Sequence, residues 1–308
     1  MMKTKKLLSV LLSIVLLVCA VSPAFAAAET PFDNSRFYEV GDYSIHYRVF
    51  KAENQKGQIF MIHGFALSSY CFQALAERLQ AAGYTCVIAD LPDFGYSTRE
   101  TEKTNKLPRE DIMHSLMASL SDEPWYVAGH SMGGYIAIAL AQKYPESVKN
   151  LLLYGTAGNE GTTSIRQKLM TNPTFLKVMG KFLEVIARMN ALVRLLLLAA
   201  TEDLQFTKDY DLHYITDPYT VAGTGRGALI NFTMLPETDF AAVENMPPVL
   251  YVNAANDTVI AKRDVQKLSD HLPEGSTEVM MASGGHLFIE SRADKTAEIT
   301  VEFLEAHP

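Results

Sequence analysis

Short apolar runs alternate with stretches of helical apolar spacing along most of the chain. Phe37–Val40 and Ser44–Phe50 flank Gly41-Asp42 as two strands around a hairpin turn. Gln58–Ile62 is an apolar run ending at His63-Gly64, which reads as a buried strand. Phe72, Leu75 and Leu79 give residues 69–82 a helical period that stops at Gly83. A strand at Tyr84–Ala89, a helix over 109–121, a strand at Trp125–Ala128, a helix at Met132–Tyr144 and a strand at Val148–Tyr154 follow. The alternation then lapses. Residues 157–240 hold no convincing buried strand and much helical spacing. It resumes with a strand at Pro248–Asn253, a helix over 262–272, a strand at Thr277–Ala282 and a helix over 291–306. Strands alternating with helices of this length predict βαβ units, a mainly parallel sheet and helices on both of its faces. The fold class is therefore α/β, with a helical excursion inserted between two halves of one sheet.

Within the excursion, Phe175, Met179, Phe182, Ile186, Met189, Val193 and Leu196 recur at spacings of four and three. They predict one continuous apolar stripe on a helix, with Lys177, Lys181, Glu184 and Arg188 off it. The stripe either buries against the rest of the chain or serves as a lid that meets lipid or an acyl chain. Glu184, Arg188 and Arg194 argue against a membrane span. Tyr210, Tyr214 and Tyr219 cluster further on, to line a pocket or to pack.

The first residues belong to a different pattern. Lys3, Lys5 and Lys6 precede an apolar run from Leu7 to Val21, and Ala24-Phe25-Ala26 completes an A-x-A site. This predicts a secretory signal peptide over residues 1–26, its apolar core shorter than the ~20 residues of a span. The net charge of −8 includes those three lysines, so −11 is expected after cleavage. Such an acidic chain is a poor partner for nucleic acid or for anionic lipid. Cys71 and Cys86 fall at opposite ends of the predicted sheet, beyond the ~7 Å that a disulfide tolerates, and are expected to be free and buried. No zinc-like cysteine and histidine spacing occurs.

Gly129-His130-Ser131-Met132-Gly133 is a G-x-S-x-G motif between a predicted strand and a predicted helix, the context of a nucleophile elbow. The glycines let strand and helix approach while the serine stands clear of the sheet. A serine hydroxyl needs a base. His286, in Gly284-Gly285-His286-Leu287 after the last strand, falls at the carboxyl edge of the sheet, where ligands bind. Asp257, after the preceding strand, is expected to orient that base, with Asp239 and Glu244 as spare carboxylates. His130 is expected to point away from the reaction. Backbone N–H groups of Met132 and of Phe65, or failing that Ala66, would form an oxyanion hole.

These residues resemble the α/β-hydrolase superfamily, in its branch with a short His-Gly-Phe oxyanion loop and a helical cap. Asp90-Leu91-Pro92-Asp93-Phe94-Gly95-Tyr96-Ser97 adds to the likeness, and Asp90 and Asp93 read as structural. The resemblance implies an eight-stranded sheet with its second strand antiparallel. It also implies a catalytic domain over residues 35–156 and 241–306, with a cap over 157–240. Serine at the elbow disfavours dehalogenases and epoxide hydrolases. It fits an exported carboxylic ester hydrolase of the esterase or monoacylglycerol-lipase-like kind, acting on a small-molecule ester through an acyl-enzyme, without metal or cofactor. A proline-iminopeptidase-like peptidase or amidase, a carbon–carbon bond hydrolase and a non-catalytic ligand-binding protein are the alternatives.

Overall fold

The computed structural model describes residues 30–101, 103–159, 161, 172–231 and 234–308, so the expected signal peptide lies outside them. The first half of the chain runs β1 (Ser35–Val40), β2 (Tyr43–Phe50), β3 (Gly57–Ile62), a short 3-10 turn (Ser69–Phe72), α1 (Gln73–Ala81), β4 (Tyr84–Ala89), α2 (Arg109–Leu120), β5 (Trp125–His130), α3 (Met132–Lys143) and β6 (Val148–Tyr154). The insertion holds α4 (Pro173–Ile186), α5 (Asn190–Thr201), α6 (Leu204–Asp209), α7 (His213–Thr216) and α8 (Thr224–Asn231). The last part is α9 (Phe240–Val243), β7 (Val249–Ala254), α10 (Lys262–Ser269), β8 (Thr277–Met281), α11 (Phe288–Ser291) and α12 (Ala293–Ala306).

The strands form one eight-stranded sheet in the order β1-β2-β4-β3-β5-β6-β7-β8. β2 pairs antiparallel with both β1 and β4, and every later pairing is parallel. Parallel strands need crossovers, and the helices of those crossovers cover both faces. The side-chain period of two divides each central strand between the two covers. Phe60 and Ile62 of β3, Trp125 and Val127 of β5, and Val249 and Tyr251 of β7 pack with α2, α3 and α10. Ile59 and Met61, Tyr126 and Ala128, and Leu250 and Val252 pack with α1 and α12 on the other side. Each large aliphatic or aromatic side chain among them contributes about 1.5–3 kcal/mol of burial, which pins the register. Cys71 and Cys86 sit free in the second of these layers.

The apolar stripe of the insertion is not one helix. α4 ends at Ile186, the chain turns through Ala187–Met189, and α5 starts afresh. The buried face of α4 is Leu176, Gly180 and Glu184 rather than the stripe, and Phe182, Met189 and Leu196 are exposed. Backbone proximity decides this. A Cβ on Gly180 would stand 2.6 Å from the backbone of Arg226, and one on Gly225 2.0 Å from Gly180 O, so α4 and α8 touch main chain to main chain at this point. At the C-terminus the expected last helix is α12, and the short α11 precedes it in the segment read from the sequence as loop. Among the described residues no helix is long and apolar enough to cross a membrane.

Candidate active site

β5 ends at His130 and α3 begins at Met132, which leaves Ser131 alone in the turn between them. Its backbone sits at φ 52° and ψ −120°, a region that a side-chain-bearing residue occupies only when its surroundings hold it there. They do so from two sides. The Ser131 N–H donates to Tyr154 O at 3.0 Å, and its carbonyl accepts from Thr156 Oγ1 at 2.7 Å. Strand and helix must also nearly touch. A Cβ on Gly133 would lie 2.1 Å from Ile62 O, and one on Gly129 2.6 Å from Gly133 O.

Asp257 lies in the turn after β7 and His286 in the turn after β8, both at the edge where Ser131 stands. Residues 131, 257 and 286 meet as one hydrogen-bonded chain. Ser131 Oγ donates to His286 Nε2 at 2.9 Å, and His286 Nδ1 donates to Asp257 Oδ2 at 2.8 Å. Asp257 Oδ1 accepts from the N–H groups of Val259 and Ile260 at 2.7 and 3.1 Å, which fixes the carboxylate plane. Burial opposes the Asp257 charge, but the His286 imidazole and these two N–H groups outweigh it and hold the carboxyl below its ordinary value. The spare carboxylates are placed elsewhere. Asp239 caps α9 by accepting from Ala242 N–H, and Glu244 faces His271 at 3.9 Å.

Two further histidines shape the site in ways their sequence positions did not reveal. His130 does not simply point away. Its ring centroid is 4.8 Å from that of His286, and its Nε2 donates to the His286 carbonyl at 2.9 Å. Burial and the neighbouring imidazole push His130 down to about 3, so it is a neutral donor that ties the His286 loop to the elbow. His63, at the end of β3, donates from Nδ1 to Gly64 O at 2.7 Å and accepts at Nε2 from Leu91 N–H at 3.0 Å. It thereby fixes the turn that carries Phe65 and Ala66, the latter at φ 62°. Phe65 and Ser131 line the same cavity, and Met132 opens α3, whose amide dipoles point at the elbow. The signal for both histidines was adjacency to a motif glycine or serine; the His286 carbonyl and the Leu91 N–H that they hold are far away in the chain.

Asp90 and Asp93 lie in the loop after β4. Asp90 accepts from His46 Nδ1 at 2.7 Å and Tyr96 N–H at 2.8 Å. Burial opposes its charge, and the His46 partnership overrides that, holding it well below the carboxylate range. Asp93 accepts from Glu100 N–H at 2.7 Å and Asn231 Nδ2 at 3.2 Å, which ties this loop to α8.

The cavity over Ser131 has a volume of about 370 Å³. Its walls are almost wholly apolar, with Leu183, Ile186, Val193, Leu196 and Leu197 from the insertion and Leu287 from the histidine loop. Tyr219 reaches this cavity, whereas Tyr214 stacks on Tyr70 at 3.7 Å and Tyr210 meets the same ring edge-on. The insertion is fastened beside the histidine. Leu287 N–H donates to Ala200 O at 2.9 Å, and Arg292 pairs with Asp203 at 2.7 Å. Among the described residues no group of three or more His, Cys, Asp or Glu is placed to hold a metal ion.

A family model described as alpha/beta hydrolase fold matches residues 58–293. Lipase 3 of Moraxella sp. is 35% identical over 109 residues, 34% of this chain and 34% of that protein, so the alignment spans about a third of that relative. Lipase 1 of Psychrobacter immobilis is 26% identical over 255 residues, covering 78% of this chain and 74% of its own. The solved enol-lactonase of Burkholderia xenovorans superposes with a TM-score of 0.67 at 16% identity, over 88% of this chain and 100% of that one. At that identity the likeness is one of fold.

Proposed function

The chain belongs to the α/β-hydrolase fold family, and on that premise we propose that it is an exported serine hydrolase that cleaves carboxylic esters with an apolar acyl group. The reading is carried by one observation, the Ser131–His286–Asp257 hydrogen-bonded chain at the base of an apolar cavity. Ser131 Oγ attacks the ester carbonyl carbon while its proton passes to His286 Nε2. Asp257 stabilises the imidazolium and keeps the Nδ1–H tautomer in place. The N–H groups of Phe65 and Met132 receive the oxyanion. The imidazolium returns its proton to the departing alcohol, and a water deprotonated by the same nitrogen then clears the acyl-enzyme. His130 keeps the His286 backbone at the distance this transfer needs.

The cavity supports the substrate class. Apolar walls favour a neutral acyl chain, since a charged group would lose its hydration there without a partner. The two lipases among the relatives support an ester rather than an amide. The boundaries 35–156 with 241–306 for the catalytic part and 157–240 for the cap follow from the same reading. Export rests on the pattern of Lys3, Lys5 and Lys6 before Leu7–Val21 and Ala24-Phe25-Ala26. Contact of the cap with a lipid surface rests on exposed Val178, Phe182, Met189, Leu195 and Leu196.

The test is a chain-length series of p-nitrophenyl esters beside aminoacyl-arylamides. Wild-type protein should hydrolyse the esters and leave the arylamides. Ser131→Ala should lower kcat by about 10⁴-fold or more while binding persists. Ester turnover at wild-type rate in Ser131→Ala would remove the proposal, and faster arylamide than ester turnover would shift it to an amidase.

A further inference from the structure

We propose that the cleft between the 3-10 turn at Ser69–Phe72, α1 and the end of α6 binds a small organic cation, an ammonium or methylated ammonium group, with Glu290 as its anchor. This cleft has a volume of about 410 Å³ and shares no lining residue with the cavity over Ser131. The two are distinct cavities that flank one small void, lined by Tyr70, Tyr210 and Glu290 towards the cleft and by Ala66, Leu67 and Tyr219 towards Ser131.

The observation that points to a ligand is Glu290. Its side chain is 7% exposed, it lines the cleft, and among the described residues its Oε1 has no hydrogen-bond partner. Leaving such an atom unmatched forfeits the hydration it would have in water, and more so when the group is charged. The groups set against the carboxyl are the hydroxyl of Tyr210 from the insertion and Tyr70 and Cys71 from the 3-10 turn, and none of them brings a positive charge. Among the described residues no cation contributes to the charge balance at Glu290 itself, where burial and the Tyr210 hydroxyl are the acting influences. Arg78 of α1 pairs with Asp294 of α12, and Arg292 pairs with Asp203. Arg48 of β2 donates to Asn34 and Gln73 and lies over the Phe32 ring.

The rest of the cleft suits the same ligand. Glu77, Asp209 and Asp211 are exposed carboxylates in its lining, and among the described residues no lysine or arginine lines it. Tyr70 and Tyr210 stand edge-to-face at 5.9 Å, with Phe206 5.4 Å from Tyr210. Carboxylates beside aromatic rings are surroundings an ammonium group selects, here chiefly by charge, since Tyr214 already stacks on Tyr70. An anion would be repelled, and a neutral apolar molecule would leave Glu290 unmatched.

Protonation gives the idea a signature. Burial raises Glu290 to about 8, with the Tyr210 hydroxyl pulling the other way. Below that pH the carboxyl carries a proton that the cation must displace. Affinity should therefore rise about tenfold per pH unit up to about pH 8 and then level off.

The experiment titrates choline into the Ser131→Ala protein by calorimetry at constant ionic strength, with 3,3-dimethylbutan-1-ol as the uncharged isostere. Saturable choline binding is expected, at least about tenfold tighter at about pH 9 than at about pH 6.5, with proton release at the lower value. The isostere should bind at least about tenfold more weakly. Glu290→Gln should weaken choline by at least about tenfold, and the exposed pair Asp209→Asn with Asp211→Asn by several-fold without touching the core. Absent saturation at the higher pH, equal affinity for the isostere, or unchanged affinity in Glu290→Gln would each overturn the proposal. Because the readout is binding to a protein lacking the Ser131 hydroxyl, its outcome is independent of ester hydrolysis.

Discussion

At the scale of single residues, the site is held by groups that spend their hydrogen bonds on geometry. Ser131 in its left-handed conformation carries about 1–3 kcal/mol of backbone strain, offset by the main-chain bonds to Tyr154 and Thr156 that keep its hydroxyl clear of the sheet. Asp257 uses one oxygen for His286 and the other for two backbone N–H groups. An amide in its place offers an NH₂ group where His286 Nδ1 needs an acceptor, which favours the wrong tautomer. Asp257→Asn should therefore lower kcat on a p-nitrophenyl ester by about 10⁴-fold with KM little changed. Steady-state kinetics check this, and a loss smaller than tenfold would remove Asp257 from the proposed triad. Ser131, His286 and Asp257 were legible in the sequence because each follows a strand that the apolar pattern announces. The roles of His130 and His63 were not, because what defines them is a carbonyl 156 residues away in one case and an amide 28 residues away in the other.

At the scale of elements, the insertion is where periodicity misled. A stripe at four-three spacing is compatible with a helix at every step, yet the chain breaks at Ala187–Met189 and presents Phe182 and Leu195 outward. Periodicity reports which residues can share a face. It does not report whether a neighbouring helix approaches at Gly180 or at Phe182. The outward side chains form an apolar surface beside the cavity mouth, where Leu196 and Val259 are exposed and also line the cavity. Phe182→Ser combined with Leu195→Ser should reduce hydrolysis of an emulsified ester several-fold and leave hydrolysis of a water-soluble ester unchanged, since neither residue lines the cavity. Parallel assays on the two substrate forms decide it; an equal loss on both would mean the pair serves packing instead.

At the scale of the whole molecule, buried ionisable groups set how stability varies with pH. Glu290 keeps its proton up to about 8 in the folded chain and releases it near its ordinary value of 4.5 when unfolded. Across that interval the folded state binds more protons, so this group's contribution is fully present below 4.5 and declines as pH rises to about 8, by at most about 1.4 kcal/mol per unit. His130, pushed down from 6.5 to about 3, acts in the opposite sense below 6.5, and His213, raised above 6.5 by Asp217, acts in the same sense as Glu290 above it, so over the window from about 6.5 to 8 the comparison of wild type with Glu290→Gln isolates the carboxyl. Urea unfolding across that window should show a falling midpoint for wild type and a flatter one for Glu290→Gln. Equal slopes would mean the carboxyl does not titrate there.

The sequence alone determined the alternation of strand and helix, the place of the insertion and the turns that carry the three candidate catalytic residues. These depend on local matters: side-chain period, glycine at a tight turn, proline at a helix end. Tertiary structure alone decided the break between α4 and α5, the hold of His130 on the histidine loop, the apolar lining over Ser131 and the unmatched carboxyl of Glu290. Each depends on which distant atoms come within a few ångströms. Packing between remote segments fixes that, and no window of neighbouring residues encodes it.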